Sequence, residues 1–302
     1  MGLRDLFRRG GGHSDRTLTE PIGTGAEPAA DVDGAGRSGV DRRRTFLDPA
    51  LQAEFEQRGF VVVDLLDAEA VAAVTSSFET MDHVWQDDYE WVEGFDTSIY
   101  DPRADYRAAV LDAVEAEVGP AMARILDDHR ILFANFVVKH PDSEAVPPHV
   151  DWTFVDEDRY SSVTIWCPLV DTTPENGTLG LVAGSHHRIG FLRAANIPSF
   201  ERCEDAVADI DDRPVIPLRA GQAIVLDNRA VHFSPPNTSD APRVAIGCVA
   251  APVEAPLRHY WQDEDERLLE FELERSFYLS YVIGRPPSEA DGVVGIRVAA
   301  ND

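Results

Sequence analysis

The chain has 302 residues and a formal charge of −27, from 27 basic and 54 acidic side chains. That length suits one large domain, or one domain with a tail, and is ample for a sizeable core. The acidity argues against nucleic acid and against an anionic membrane surface, both of which need a basic face. Hydrophobic residues make up 44% and aromatics 9%, so most of the chain is expected to fold. The longest apolar stretch, Val244 to Val253, is too short to span a bilayer. The first residues, MGLRDLFRRGGG, lack the apolar segment of a secretory signal. Cys167, Cys203 and Cys248 are odd in number and widely spaced, which makes neither a disulfide framework nor a CxxC metal site. A reduced, cytoplasmic protein is the expectation. Of the basic residues only Lys139 is not arginine.

Residues 1–44 hold nine of the 21 glycines, eight arginines and seven acids, with little apolar periodicity. A disordered tail is expected there, and a folded domain over 45–302 carrying the whole acidic excess. Asp48-Pro49 is an N-cap followed by proline at the first helical position, and Gly59 can end that helix. Phe60 to Asp64 reads as a strand. Asp67 to Met81 reads as a helix with Val71, Val74, Phe78 and Met81 on one stripe. Residues 83–101, rich in aromatics and acids, suit a loop near a site. A third helix follows Asp101-Pro102 and stops near Gly119-Pro120.

From Arg130 the periodicity becomes that of strands. Candidates are Ile131–Lys139, Val150–Phe154, Ser162–Val170, Thr178–Val182, Val215–Leu218, Gln222–Leu226, Ala230–Phe233 and Arg243–Ala250. Pro217 makes the fifth an edge strand at best. Turn signals at Pro147-Pro148, Asn176-Gly177 and Ala220-Gly221 separate them. Short strands after a helical first third suggest a β-sandwich or jelly roll with flanking helices, mainly β within the α+β class. Residues 185–213 form a long connection of the kind that serves as a lid. Residues 262–275 read as a final helix, with Leu269 and Leu273 on one stripe.

Three His-x-Asp sequences occur: His13-Ser-Asp15, His140-Pro-Asp142 and His149-Val-Asp151. Two histidines and one carboxylate bind Fe(II) on one face and leave positions open for substrate and oxygen. On a strand, side chains two residues apart share a face, so such a pair can point into a barrel. His13 lies in a glycine-rich stretch and His140 in a polar turn. His149 follows Pro147-Pro148 and leads into Trp152 and Phe154, so its backbone is fixed and its neighbours restrict water. The third ligand is expected at His232, with His187 and His259 as alternatives. Arg243, on the returning strand, could grip a distal carboxylate with both arms of its guanidinium.

The chain resembles the phytanoyl-CoA dioxygenase family of Fe(II)/2-oxoglutarate-dependent oxygenases over about residues 50–255. The likeness is carried by Gly59-Phe-Val-Val-Val, Val138-Lys139-His-Pro141, Pro148-His149-Val-Asp151-Trp152 and Ile165-Trp166-Cys-Pro-Leu169. It continues through Asn176-Gly177-Thr-Leu179, Gly184-Ser185-His186, Gly221-Gln-Ala-Ile-Val225, His232 and Arg243. The resemblance implies a double-stranded β-helix (cupin-like) fold with Fe(II) on His149, Asp151 and His232. It also implies 2-oxoglutarate with its far carboxylate on Arg243, assisted by Ser234, and with Trp166 packed against it. Lys139 and Asn135, on one strand face by alternation, are candidates to reach cosubstrate or substrate; a solvent-facing Lys139 is the competing expectation. The implied reaction consumes O2, converts 2-oxoglutarate to succinate and CO2, and hydroxylates an unactivated C–H bond.

Ala183 departs from the proline usual before Gly-Ser-His, and Asp151 keeps the carboxylate that a halogenase lacks. No Lys/Arg run outside residues 1–44 offers a patch for coenzyme A phosphates, so a neutral or amine-bearing small molecule is the expected substrate. The oligomeric state is left open. A cupin-like isomerase or epimerase, or a non-catalytic binding protein, are the competing functions. Neither needs a carboxylate-gripping Arg243 beside a complete ligand set.

Overall fold

The structure, a computed structural model, describes residues 42–85 and 92–299. Most of the segment expected as a tail, and its His13-Ser-Asp15 motif, lie outside the described residues. Arg42, Arg43 and Arg44 are described and bonded to the fold, through the Tyr160 carbonyl, Glu254 and Asp127 respectively.

Helix α1 (Pro49–Arg58) starts on the Asp48 side chain, which accepts from the Ala50 N–H, and ends at Gly59 with φ +83°. A side chain at Gly59 would also strike the ring of His186, its would-be Cβ lying 2.5 Å from Nδ1. His186 thus seals the end of α1, as a structural residue. Strand β1 (Phe60–Asp64) follows, then α2 (Ala68–Thr80), capped by Asp67. β2 (Phe95–Thr97) and a 3-10 turn (Ser98–Tyr100) precede α3 (Ala104–Met122).

Strands β3 (His129–Lys139), β4 (Val146–His149), β5 (Val163–Pro168) and β6 (Gly180–Leu181) come next. After α4 (Phe200–Ala206) run β7 (Gln222–Asp227), β8 (His232–Ser234) and β9 (Arg243–Pro252). The chain ends with β10 (Leu257–Gln262), β11 (Leu268–Leu273), α5 (Phe277–Ser280) and β12 (Val293–Val298).

Six strands form one sheet in the order β1-β7-β5-β9-β3-β2, and β4-β8-β6 form a small second sheet. The two faces of the large sheet divide by alternation. Ala134, Phe136, Ile165, Cys167, Ile246 and Ala250 pack outward under α1, α2 and α3. Asn135, Val137, Thr164, Trp166, Arg243 and Gly247 instead line a cavity that the small sheet closes from the other side. This is the mainly β jelly roll with flanking helices that the strand pattern suggested. Among the described residues no helix is long and apolar enough to cross a membrane.

Residues 262–275 correct the expectation of a helix: Gln262 ends β10, residues 263–267 turn the chain, and Leu268–Leu273 is β11, with Trp261 opposite Leu269 and Leu257 opposite Leu273. A spacing of four satisfies the strand period as well as the helical one, and Phe271 between the two leucines is buried on the same face. Val215–Leu218 makes only isolated bridges, from Val215 to Gly180 and from Leu218 to Thr172. Val150–Phe154 is not a strand either. Its backbone bonds run to the long connection and to β10, from Thr153 N to the Arg193 carbonyl and from Arg258 N to the Phe154 carbonyl.

Candidate metal and carboxylate site

His149 and His232 are directly opposite one another across β4 and β8, with ring centroids 4.1 Å apart. Each Nδ1 donates to the carbonyl two residues earlier, at 2.8 Å to Pro147 and 3.0 Å to Ala230. A carbonyl only accepts, so Nδ1 keeps the proton and Nε2 is left as the lone-pair nitrogen of the neutral ring. Burial, reinforced by His232, holds His149 well below the usual histidine range.

Asp151 stands two residues beyond the end of β4, with Oδ1 3.9 Å from His232 Nε2. Its Oδ2 accepts from Thr164 Oγ1 at 2.5 Å and from Asn228 Nδ2 at 3.0 Å. Burial alone would raise this carboxyl; His232, Thr164, His149 and Asn228 outweigh it and keep it ionised. Thr164 and Asn228 were not expected from the sequence. They occupy one oxygen and leave the other aimed at the histidines, the usual arrangement around a metal-binding carboxylate.

The donor set is two imidazoles and one carboxylate, which suits Fe(II) with open positions. Among the described residues no His, Cys, Asp or Glu trio is drawn in to metal-binding distance. Neighbouring ligands of a first-row metal at about 2.1 Å lie about 3 Å apart. Asp151 and His232, 3.9 Å apart, would have to close by about 1 Å to share such a metal. The chemistry fits, and both side chains end in rotatable bonds.

The other candidates are elsewhere. His140 bonds Asp96 at 2.7 Å, and Asp142 is in a turn with φ +59°. His187 is exposed and bonds the Glu56 carbonyl. His259 is buried among Trp152, Phe277 and Tyr281.

Deeper in the cavity Arg243 is 2% exposed, and its Nε and Nη1 have no hydrogen-bond partner. Its guanidinium carbon lies 5.2 Å from the Trp166 ring centre. Burial pushes Arg243 down to about 9. Ser234 lines the same cavity. Its Oγ accepts from Lys139 Nζ at 2.7 Å, and Nζ also donates to the Ser234 and Pro235 carbonyls.

Lys139 is fully buried, which overturns the solvent-facing expectation. Its side chain passes under Gly177, where φ is +74° and a Cβ would sit 2.7 Å from Lys139 Cδ. Asn135 lines the cavity and donates to Thr97 Oγ1 at 2.6 Å. It fits because its partner across β9 is Gly247, where a Cβ would lie 2.9 Å from Asn135 Oδ1. Two buried cations thus face each other across β3 and β9 (Lys139 opposite Arg243), and an arginine with unpaired N–H groups is built to receive an anion.

Burial, then the charge of Arg243, pushes Lys139 down to about 7. The unfolded chain keeps that proton up to the ordinary lysine range, so stability should rise with pH above 7 and the penalty be fully present below it. One proton corresponds to a slope of about 1.4 kcal/mol per pH unit. Urea unfolding of the ligand-free protein between pH 7 and 9 should show wild type gaining on Lys139→Met. Parallel curves would mean that Lys139 is not the titrating group.

Residues 55–245, more than half of the chain, match the family described as Phytanoyl-CoA dioxygenase (PhyH). The chain belongs to the phytanoyl-CoA dioxygenase family. Two curated relatives agree. Phytanoyl-CoA dioxygenase domain-containing protein 1 of Danio rerio is 32% identical over 121 residues, 37% of this chain and 42% of that protein. Its homolog in Dictyostelium discoideum is 33% identical over 104 residues, 32% and 37% of the respective chains. The matched region thus spans about two-fifths of the length of these relatives. The non-heme alpha ketoglutarate dependent carbocyclase SnoK from nogalamycin biosynthesis superposes with a TM-score of 0.53 at 22% identity. That match covers 72% of this chain and 90% of SnoK, and shows a shared fold. The family is one of Fe/2-oxoglutarate oxygenases, and the paired histidines, Asp151 and the unpaired Arg243 suit both iron and the cosubstrate.

Proposed function

We propose that the protein is a non-haem Fe(II)/2-oxoglutarate-dependent dioxygenase that hydroxylates an unactivated C–H bond of a small-molecule substrate. His149, Asp151 and His232 would hold the metal, and Arg243 with Ser234 would hold the far carboxylate of 2-oxoglutarate. The observation that carries this reading is the buried Arg243 with two unpaired donors in the same cavity as the ligand trio. A metal-dependent isomerase that works without a dicarboxylate cosubstrate has no need for a buried carboxylate receptor. Bound iron with 2-oxoglutarate and O2 supplies the oxidising power, the cosubstrate leaving as succinate and CO2.

The chain's own contributions follow from the geometry. Pro147 and Ala230 fix the histidine tautomers, and Thr164 with Asn228 fixes the carboxylate. Trp166 offers a ring to the Arg243 guanidinium. Lys139 turns the Ser234 hydroxyl: with its oxygen accepting from Nζ, that hydroxyl is free to donate into the cavity. Asn135, tied to Thr97, adds an amide at the wall.

Anaerobic titration with Fe(II) and 2-oxoglutarate should develop the visible charge-transfer band of the chelate. Air should then yield succinate, and labelled O2 should place one of its atoms in the product. No band together with no succinate would reject the oxygenase reading. A desaturated or cyclised product without that oxygen would reject hydroxylation alone.

A further inference from the structure

The cavity of about 250 Å³ has two chemically different parts. One carries the metal trio, Arg243 and Ser234. The other is drawn from separate stretches of the chain and is mostly apolar: Ile99, Phe133, Trp152, Phe154, Ile197 and Phe200, with hydroxyls at Thr97, Tyr100 and Ser199. Phe200 begins α4, and its ring centre is 6.2 Å from that of His149, so the apolar wall starts beside the metal ligands. Ile99 and Trp152 remain part-exposed although they pack on a buried cluster. Apolar surface left open inside a concave site is surface for a ligand.

Beyond the metal trio and Arg243, the charged side chain lining this cavity among the described residues is Arg193. Every arm of it is engaged. Nε donates to the Asp151 carbonyl at 2.9 Å, while Nη1 and Nη2 each donate to a Glu157 carboxylate oxygen at 2.6 Å. Weaker bonds reach the Phe191 and Trp152 carbonyls. A carboxylate or phosphate on the substrate would find no unpaired cation here outside the place assigned to the cosubstrate. Among the described residues, an ammonium would find no carboxylate in the lining except the proposed metal ligand Asp151. Enclosing an unpaired charge against such a wall is unfavourable, whereas rings stack on it favourably.

We propose that the substrate is uncharged and largely hydrocarbon where it enters the cavity, with a ring or branched carbon frame lying between Trp152 and Phe200. This rests on the oxygenase reading above. It removes both the acyl-coenzyme A phosphates and the amine from the groups recognised inside the site.

The test uses three probes of one shape, naphthylmethanol, naphthoate and naphthylmethylammonium, added to the Fe(II)/2-oxoglutarate-loaded protein without oxygen. Binding is read by quenching of tryptophan fluorescence, and the chelate band is recorded in the same samples. The alcohol should bind about tenfold or more tighter than either ion. Phe200→Glu should weaken the alcohol and favour the ammonium. Equal or tighter binding of either ion, or no binding of the alcohol while the band is present, would overturn the substrate class alone. A missing band would overturn the oxygenase reading, and this proposal with it.

Discussion

Replacing Arg243 with methionine should stabilise the protein without ligand and remove most of the stabilisation that 2-oxoglutarate gives to wild type. The guanidinium is 2% exposed, two of its donors are unpaired, and Lys139 adds a second buried cation directly across the sheet. Exchanging buried charge for apolar volume typically gains about 1–4 kcal/mol. Cosubstrate acts in the opposite sense, because a carboxylate gripped by both arms makes charge-assisted hydrogen bonds of about 1.5–3 kcal/mol each. Losing two should weaken 2-oxoglutarate by roughly a hundredfold or more. At a hundred times its dissociation constant the ligand stabilises wild type by about 2.7 kcal/mol, and the variant by almost nothing. Thermal unfolding of both proteins, with and without Mn(II) and 2-oxoglutarate, reads both effects. Equal ligand-induced stabilisation of the two would remove Arg243 as the receptor. A less stable ligand-free variant would mean that the buried charge has a partner.

Why was this site legible at all? His149, Asp151, His232 and Arg243 sit at short, fixed intervals from prolines and from alternating apolar runs, so local rules place them. Alternation along β3 likewise put Asn135, Val137 and Lys139 on one face, and the structure keeps them there. Lys139 stood out by composition. Its burial did not, because the space it occupies is made by Gly177 and Pro235, about forty and a hundred residues later in the chain. Thr164 and Asn228 were missed for the same reason. Each is unremarkable in its own stretch, and only the packing of β5 beside β7 brings both onto Asp151. The error at residues 262–275 was of another kind. Charges on one side and leucines four apart fit helix and strand equally, and the choice fell to neighbouring β12, which the pattern gave no reason to expect. Thr153 shows the reverse case. A β-branched residue in an apolar run leaves the sheet because Arg193 offers its backbone another partner.

That arginine is the second place where a large effect is expected. The sequence marks Arg193 only as a cation in a long connection, yet its side chain is 2% exposed and its Glu157 partner 12%. Arg193→Met should cost about 3–5 kcal/mol, because it leaves a carboxylate buried without its counter-charge. Against a total stability of about 5–15 kcal/mol, such a loss brings the protein close to unfolding. Arg193→Met combined with Glu157→Met should recover most of that stability, since apolar groups of similar volume replace a buried pair at little cost. Recovery of the fold is not expected to recover the site. The Nε bond to the Asp151 carbonyl holds the backbone of the proposed metal ligand, and the Trp152 carbonyl is held by the same guanidinium. With both bonds gone, the Asp151 side chain keeps Thr164 and Asn228, but its backbone is held only indirectly, through the bonds of Thr153 to the backbone of residue 193. Loss of a group that orients a metal ligand typically costs about 10–100-fold in metal affinity. Titration of the stable double variant with Mn(II), read by electron spin resonance of the free ion, measures this without turnover. Wild-type affinity in the double variant would reduce Arg193 to a packing residue; weak affinity in a fully folded protein would make it the group that positions the iron carboxylate.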